Sequence, residues 1–360
     1  MIQLFLVMWV ALQTASPEAA KHLRAGADAD KHGNAQAAIA EFRQATELDP
    51  TLAVAFISLG QAYMENHDYA SALAPLKHAV ELSPDSIPAH QLLGYALLVE
   101  GYAAEAIPHL ERAKEKAALG IAQLQTGQLD HAVTNLRSAL ASRPNDPDLL
   151  YYLGRASGLL SKQSMDTLLT AFPDSARAHQ AMGENYFVLR RMPDAEKEYL
   201  AALKQRPETP GLHLDLGLVY AGSSQWGKAE QEFRAETKLQ PGNAEAAFRL
   251  GNALLQEGKP SEARAELQRS NRLQPRMPET LYALGKAESL NNDPASAEKS
   301  WQELLSIEKD GPLAAQAHFG LASLYRKQGN AASADREMRE FQRLQTAASS
   351  SDDPTQPSDK

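Results

Sequence analysis

Histidine is the residue type in this chain best suited to metal binding or acid–base chemistry, since ten histidines are present and cysteine is absent. A metal ion needs nitrogen ligands about 2 Å away, and no His-Glu-x-x-His sequence places two histidines on one helix face. Five histidines instead recur four residues before a glycine or, once, an alanine: His22, His90, His179, His213 and His318. On successive packed helices, consecutive copies would lie on the order of 10 Å apart. We therefore predict that these histidines are packing residues and that no metal is bound.

One stretch comes close to a phosphate-binding loop, because Gly222–Ala229 reads Gly-Ser-Ser-Gln-Trp-Gly-Lys-Ala. That loop requires a serine or threonine after the lysine to ligate magnesium, and a strand before it. Here Ala229 follows Lys228, and no region of the chain alternates apolar and polar residues as a strand would. The sequence also lacks a nucleophile elbow and a dinucleotide-binding fingerprint. We predict no enzymatic activity, no cofactor and no small-molecule substrate.

Prolines and glycines show which elements position these residues. Seven prolines each stand ten residues before a glycine: Pro50, Pro84, Pro144, Pro173, Pro207, Pro241 and Pro275. The glycines follow one another at 34-residue steps, for example Gly26 to Gly60 to Gly94. A period of this length indicates a solenoid built from repeated supersecondary units.

Two further positions of the period predict what each unit is. Twelve residues after the glycine stands an alanine, and four residues later a large side chain, as in Ala72 and Leu76. A small residue at a helix crossing allows two antiparallel helices to approach closely, and the large residue fills the space beside it. Each unit is therefore predicted to be a helical hairpin, with turns at Gly101, Gly127 and Gly258 and a proline after the second helix.

The repeat resembles the tetratricopeptide repeat family, whose pattern is read here as Leu59-Gly60, Tyr63, Ala72, Leu76 and Pro84. The resemblance covers residues 19–345. It implies an all-α fold: a right-handed α-solenoid of about ten antiparallel helix-turn-helix units, two of them shortened.

Two intervals break the period. Gly94 to Gly120 spans 26 residues, and no proline closes the second helix before Gly127, so we expect one helix to run straight into the next. Gly154 to Pro173 spans 19 residues instead of 24, and Asp166 holds the small-residue position, which makes this hairpin the least regular. Two interpretations stay open: sequence drift in a tolerant array, or a hinge in residues 113–175.

Charge and composition narrow the class of partner. The chain carries 45 acidic and 36 basic residues, a formal net charge of −9, and no block of basic residues. This composition argues against nucleic acid as a partner. The absence of cysteine excludes disulfides, thiolate metal sites and a lipid-modified cysteine.

The two ends of the sequence differ from the repeats. Residues 1–16 include an apolar run, Leu4–Leu12, that is too short to span a bilayer. We expect an export signal, and hence a periplasmic or secreted protein rather than a cytoplasmic one. An uncleaved membrane anchor and a helix capping the first repeat stay open as alternatives. Residues 346–360 are small, polar and interrupted by proline, which predicts a disordered tail.

The family resemblance also implies where partners bind. The inner, concave surface would be lined by residues three before, one after and four after each glycine, one stripe of the first helix. We predict a binding surface formed by Ile57, Gln61, Gln91, Tyr95, Tyr151, Arg155, Gln180, Glu184, Phe187, Phe248, Asn252, Tyr282 and Lys286. Aromatic side chains among amides and single charges suit an extended peptide or an amphipathic helix. The alternative for each residue is packing against a neighbouring helix.

These observations favour a non-enzymatic scaffold or adaptor that binds protein or peptide partners in the concave groove. An alternative of a different class is a chaperone for cell-envelope assembly or secretion, for which the aromatic lining would hold client proteins. An enzyme that uses the irregular middle of the array is a third class, to be supported only by a bound metal or nucleotide.

Overall fold

The computed structural model describes residues 16–351, with side chains described through residue 347. All secondary-structure elements among these residues are α-helices. The chain divides into two compact units between Asp166 and Thr167. This boundary falls inside the interval 113–175 in which a hinge is expected, and the hinge itself stays a prediction.

Unit 1 is a series of helical hairpins, in which α1 packs on α2, α3 on α4, α5 on α6 and α7 on α8. Its last helix, α9, crosses the boundary into unit 2. The helices are α1 (Pro17–Lys31), α2 (Ala35–Leu48), α3 (Ala53–Glu65), α4 (Tyr69–Leu82), α5 (Ile87–Val99), α6 (Ala103–Ala113), α7 (Lys116–Gln125), α8 (Leu129–Ser142) and α9 (Pro147–Ala171).

Unit 2 repeats the same arrangement, and its consecutive helices pair as five hairpins. They are α10 (Ala176–Val188), α11 (Met192–Gln205), α12 (Leu212–Gly222), α13 (Trp226–Leu239), α14 (Ala244–Gln256), α15 (Pro260–Leu273), α16 (Pro278–Leu290), α17 (Pro294–Ile307), α18 (Pro312–Lys327) and α19 (Ala331–Ser351). The prediction of an all-α repeat fold made of helix-turn-helix units is confirmed.

The repeat glycines lie where two helices of a hairpin cross. A Cβ atom placed on Gly60 would lie 2.6 Å from Leu76 Cδ2, and one on Gly217 would lie 2.6 Å from Phe233 Cδ1. Both distances are shorter than real Cβ contacts, so the large residue of the second helix occupies the space that a side chain at the glycine would need. This confirms the predicted small-against-large crossing.

The turn between the two helices of a hairpin requires a left-handed residue. Gly101, Gly127 and Gly258 have φ values of 85°, 78° and 73°, as predicted. The same turn position is also held by residues other than glycine, for example Ser224 at φ 57°. Glycine is therefore favoured at this position but not required.

The expectation that one helix runs straight through residues 106–127 is wrong. Helix α6 ends at Ala113, Lys114 adopts a left-handed φ of 58°, and α7 starts at Lys116. The unit is shortened by trimming both helices instead of fusing them, since α6 has 11 residues and α7 has 10. A single left-handed residue is enough to end a helix without proline.

The expected fifth hairpin is also absent. Residues 147–171 form one helix of 25 residues, so the described residues contain nine hairpins and one long helix. Asp166 and Thr170 stand where the other hairpins carry the alanine and the large residue. A second helix built from these residues would have no small–large pair to bury against the first, so the continuous helix is favoured.

The ends of the array differ in part from expectation. The last helix continues through Ser351, beyond the predicted start of disorder at residue 346, because alanine favours helix and no proline lies between Ala331 and Pro354. Residues 352–360 and the apolar run Leu4–Leu12 lie outside the described residues. Within the described range, no helix has the length and apolarity needed to cross a membrane.

Candidate functional site

A concavity of about 1020 Å³ lies in unit 1 between the first helices of three successive hairpins, α1, α3 and α5. We call it the unit 1 groove. Its lining includes Arg24, Ala27, Asp28, Asp30, Lys31, Ser58, Gln61, Met64, Glu65, Tyr69, Gln91, Leu92 and Tyr95. Residues one turn apart on a helix face the same side, and these three helices stack in register. Residues at equivalent positions of α1, α3 and α5 therefore line the same concavity.

Three of the predicted binding residues line the unit 1 groove: Gln61, Gln91 and Tyr95. Tyr95 is 46% exposed, and its ring lies 6.3 Å from that of Tyr69, between centroids. Together with Met64 and Leu92, the two tyrosines form an apolar wall. Tyrosines fixed at a groove surface supply contact area at low entropic cost, which suits binding of a peptide or helix.

Two predicted binding residues are core residues instead. Ile57 is buried in a cluster with Ala79 of its own hairpin and Ala89 of the next one, and Phe248 is buried in the main core of unit 2. Both stand three residues before a repeat glycine. At this position in these two repeats, a large apolar side chain is covered by the surrounding helices.

The remaining predicted residues lie outside the unit 1 groove. Tyr151 is 60% exposed, and the Arg155 guanidinium lies 5.7 Å from the centre of its ring. In unit 2, Phe187 and Tyr282 are half-buried against core clusters. Gln180 and Asn252 are half-buried, and Glu184 and Lys286 are exposed.

Two carboxyl groups face each other in the unit 1 groove, Asp30 from α1 and Glu65 from α3. Burial, followed by a hydrogen bond and like-charge repulsion from Glu65, raises the pKa of Asp30 to about 6. Gln61 Nε2 donates a hydrogen bond of 2.8 Å to Glu65 Oε1. The pair can share a proton, and it can also hold a cationic group between the two carboxylates.

The sequence prediction missed both carboxyl groups, although a signal for one was available. Asp30 stands four residues after Gly26, so the stripe rule applied to α1 points to it. Glu65 stands five residues after Gly60, one residue beyond the stripe. Its place in the groove depends on how α1 packs beside α3, which spacing alone does not specify.

Unit 2 contains a related set of polar groups. Gln180 Nε2 lies 3.5 Å from Asp215 Oδ2, at the outer limit of a hydrogen bond. Burial, followed by the charge of Glu184, raises the pKa of Asp215 to about 6. Burial and the charges of Asp215 and Glu184 also raise the pKa of Tyr199. Asp215 is therefore a carboxyl group set into the hairpin packing.

The recurrent histidines join the two helices of their hairpins. Each Nδ1 lies 2.6 to 2.7 Å from a glutamate Oε2 nineteen residues later: His22 with Glu41, His179 with Glu198, His213 with Glu232 and His318 with Glu337. This polar contact lies within one hairpin, whereas we expected the rings to pack between hairpins, and the glutamate partners were missed. The constant spacing of nineteen residues was their signal in the sequence.

The third hairpin departs from this rule, because His109 replaces the glutamate. His90 Nε2 lies 2.9 Å from the Pro84 carbonyl oxygen and so donates to it, which leaves His90 Nδ1 to accept from His109 Nδ1, 2.8 Å away. Burial, followed by the charge of His90, lowers the pKa of His109. Among the described residues, no three His, Asp or Glu side chains are grouped to hold a metal ion.

The stretch that resembles a phosphate-binding loop is the turn between α12 and α13. Ser224 has a left-handed φ of 57°, and α13 starts at Trp226. Lys228 Nζ lies 4.8 Å from the centre of the Tyr220 ring and 3.7 Å from Glu196 Oε1. The lysine thus contacts one residue of its own hairpin and one of the preceding hairpin.

The hairpin geometry agrees with the comparison to known families. The family model described as tetratricopeptide repeat matches residues 23–87, 57–118, 117–157, 214–278 and 282–350. The chain belongs to the tetratricopeptide repeat family. Repeats of this family form scaffolds for protein–protein interaction, and this general role applies to the chain. Residues 158–213 fall between the matched segments and include the second half of α9.

Several solved structures are similar to this tetratricopeptide repeat chain. A crystal structure of MamA protein is 19% identical, with a TM-score of 0.46, over 51% of this chain and 98% of that one. MamA from Desulfovibrio magneticus RS-1 is 16% identical, with a TM-score of 0.46, over 48% and 96%. The APC/C hetero-tetramer Cut9-Hcn1 is 15% identical, with a TM-score of 0.44, over 95% and 90%. No curated protein matches the chain.

Proposed function

We propose that this tetratricopeptide repeat chain is a non-enzymatic scaffold or adaptor that binds a peptide or helical segment of a partner protein in the unit 1 groove. One observation carries the proposal: three residues predicted from the repeat stripe, Gln61, Gln91 and Tyr95, line one concavity of about 1020 Å³. This volume accommodates several side chains of a bound segment.

The side chains of the groove define the chemistry of the segment. The wall formed by Met64, Tyr69, Leu92 and Tyr95 favours apolar partner side chains. The Asp30–Glu65 pair favours a lysine or arginine, because a cation between the carboxylates replaces their mutual repulsion with attraction. The expected ligand is therefore an apolar segment with one central basic residue.

Binding of a basic residue at Asp30 should depend on pH in a defined direction. In the free protein, the pKa of Asp30 is raised to about 6, so lowering the pH below this value protonates the carboxyl. A cation stabilises the ionised form, so binding below about pH 6 releases a proton. Affinity is expected to rise by up to about tenfold between about pH 5 and about pH 7.5.

Affinity enrichment with matched variants tests the proposal and separates it from the chaperone alternative. The Tyr69→Ala, Tyr95→Ala double variant is compared with Tyr102→Ala, which changes a tyrosine that is 51% exposed and does not line the groove. A scaffold is expected to bind a few partners in stoichiometric amounts and to lose them only in the groove variant. Loss of a broad set of unrelated proteins would support the chaperone instead, and unchanged partners would refute groove binding.

We also propose that the protein is exported, from the apolar run Leu4–Leu12. N-terminal sequencing of the protein recovered from each cell fraction tests this proposal. Recovery outside the cytoplasm with the run removed would support it. An intact run in cytoplasmic protein would contradict it.

A further inference from the structure

Gly154 in α9 is the exception among the repeat glycines. At Gly26, Gly94 and Gly285, a side chain of the second helix lies within 3 Å of where a Cβ atom would stand. At Gly154, and at Gly158 one turn later, no atom of the described residues outside the local helix backbone lies within 4 Å of that place, and both glycines are exposed. The surface that a second helix covers in the other hairpins is therefore bare on α9.

The bare glycines belong to a continuous face of α9. At 100° per residue, the glycines share one side of the helix with Leu150, Tyr151 and Met165. These three apolar side chains are 50%, 60% and 39% exposed. We call these five residues the α9 face. All of them belong to unit 1, which ends at Asp166.

The opposite side of α9 is packed. Leu149 and Ala156 are buried in a cluster with Ala132 and Leu136 of α8. Helix α9 is thus held in unit 1 as the first helix of a hairpin is held, against the preceding second helix. The α9 face lies on the other side of the helix, where the missing second helix would pack.

The hairpins of the protein show what shape fits such a face. In each regular hairpin the covering helix presents an alanine to the first helix and, four residues later, a large side chain. Covering helices such as α13 and α15 have 14 residues, or about 20 Å. Leu150 to Met165 spans about 22 Å along α9, so the face has the length for one such helix.

Charge indicates the polar character of the missing helix. Arg155 borders the α9 face and is exposed, and its guanidinium lies 5.7 Å from the Tyr151 ring centre. Within the described residues, no carboxylate forms an ion pair with Arg155. An acidic residue on an incoming helix would complement it.

We propose that the α9 face receives an amphipathic helix from a different protein, which takes the place of the missing second helix. The incoming helix carries a small residue followed four residues later by leucine, phenylalanine or tyrosine, with an acidic residue opposite Arg155. This surface is separate from the unit 1 groove and does not depend on the function proposed for it. A second copy of the chain has no free covering helix among its described hairpins, because each of them is already paired.

A covering helix of the protein itself provides the probe. We choose a lactam-stabilised peptide of residues 192–205, which presents Ala195 and Tyr199 and carries one more acidic than basic residue. Fluorescence anisotropy with the full chain is expected to show saturable binding. The Gly154→Leu variant fills the space above the glycine, and it should weaken binding by at least about tenfold. A peptide carrying Tyr199→Ser should bind the unmodified chain no more tightly than the original peptide binds the Gly154→Leu variant.

Two controls keep the result interpretable. Leu159→Ala changes an exposed apolar residue of α9 that points away from the α9 face, and it should leave peptide affinity unchanged. Far-UV circular dichroism checks that Gly154→Leu is folded. Absence of saturable binding up to about 1 mM, or equal binding by Gly154→Leu, overturns the proposal. Sedimentation showing a dimer that Gly154→Leu dissociates would overturn it in favour of a second copy as the occupant.

Discussion

Gly60 in α3 and Gly154 in α9 hold the same repeat position in unit 1, yet their surroundings are opposite. Gly60 is buried against Leu76, while Gly154 is exposed and no side chain of the described residues lies within 4 Å of where its Cβ atom would stand. The difference lies sixteen residues downstream, where Leu76 in one repeat corresponds to Thr170 in the other. A repeat glycine therefore forms a helix crossing only where the chain also supplies the large residue that covers it.

Substitution of the two glycines by alanine should have effects of opposite sign, and this is the largest effect expected. Gly60→Ala forces Leu76 to move and should destabilise the protein by about 1–3 kcal/mol. Gly154→Ala adds a methyl group in open space within a helix, and it should stabilise by up to about 1 kcal/mol. Urea unfolding followed by circular dichroism measures both changes. Equal losses at the two sites would show that Gly154 is covered.

The contact between His90 and His109 extends the comparison to the pH dependence of stability. In the third hairpin, burial and the charges of His90 and Lys77 lower the pKa of His109, and Glu105 opposes them. A depressed folded pKa means that the unfolded chain binds protons first, so stability is lost as the pH falls below about 6.5. His109→Glu restores the His–Glu pair of the other hairpins and should reduce this loss.

The measurement is the urea midpoint of the full chain at about pH 7.5 and about pH 5. His131→Glu serves as the control, because it makes the same change at an exposed histidine of α8. The two variants should differ in pH dependence, with His109→Glu retaining more stability in acid. The same pH dependence in both variants would remove any special role for the His90–His109 contact.

The smallest effect on stability is expected at the two aspartates whose pKa values are raised. Asp30 in unit 1 and Asp215 in unit 2 both have a pKa raised to about 6 by burial and by a neighbouring glutamate. A raised carboxyl pKa means that ionisation costs stability, so the contribution of these two groups to stability is expected to increase as the pH falls from about 6 to about 4. Asparagine at either position should stabilise the protein at about pH 7.5 by up to about 1 kcal/mol.

Binding, in contrast to stability, should distinguish these two aspartates. Once a partner segment is identified, Asp30→Asn should weaken its binding and remove the dependence on pH near 6. Asp215→Asn, with a similarly raised pKa in unit 2, should leave the affinity unchanged. Titration calorimetry at about pH 5 and about pH 7.5 makes the comparison. An equal effect of both variants would argue against a cation site at Asp30.

Most of the fold could be predicted from spacing, because each regular hairpin repeats the same small–large crossing. The 34-residue step, the turn at Gly101 and the crossing of Gly60 with Leu76 were all predictable. The break at Lys114 was not, since a non-glycine residue in a left-handed conformation leaves no mark in the sequence. Asp166 indicated an irregular hairpin at α9, but it did not indicate that the second helix would be absent.

The candidate site was predictable only in part. The stripe rule placed Gln61, Gln91 and Tyr95 in one concavity, because their helices stack in register. It misplaced Ile57, which is buried between the second helix of its own hairpin and the next hairpin. Exposure within a stripe depends on the size of side chains across the helix interface, and a single repeat contains no information on those contacts.

The most direct measurement on the unit 1 groove is site-specific photo-crosslinking in the full chain. Benzoylphenylalanine is introduced at Tyr95 in the groove and, in a separate variant, at Tyr102 outside it. The proposed function predicts that the probe at Tyr95 crosslinks to a partner segment with apolar residues around one lysine or arginine, and that the probe at Tyr102 does not. Crosslinks to the same segment from both positions, or from Tyr102 alone, would contradict binding in the unit 1 groove.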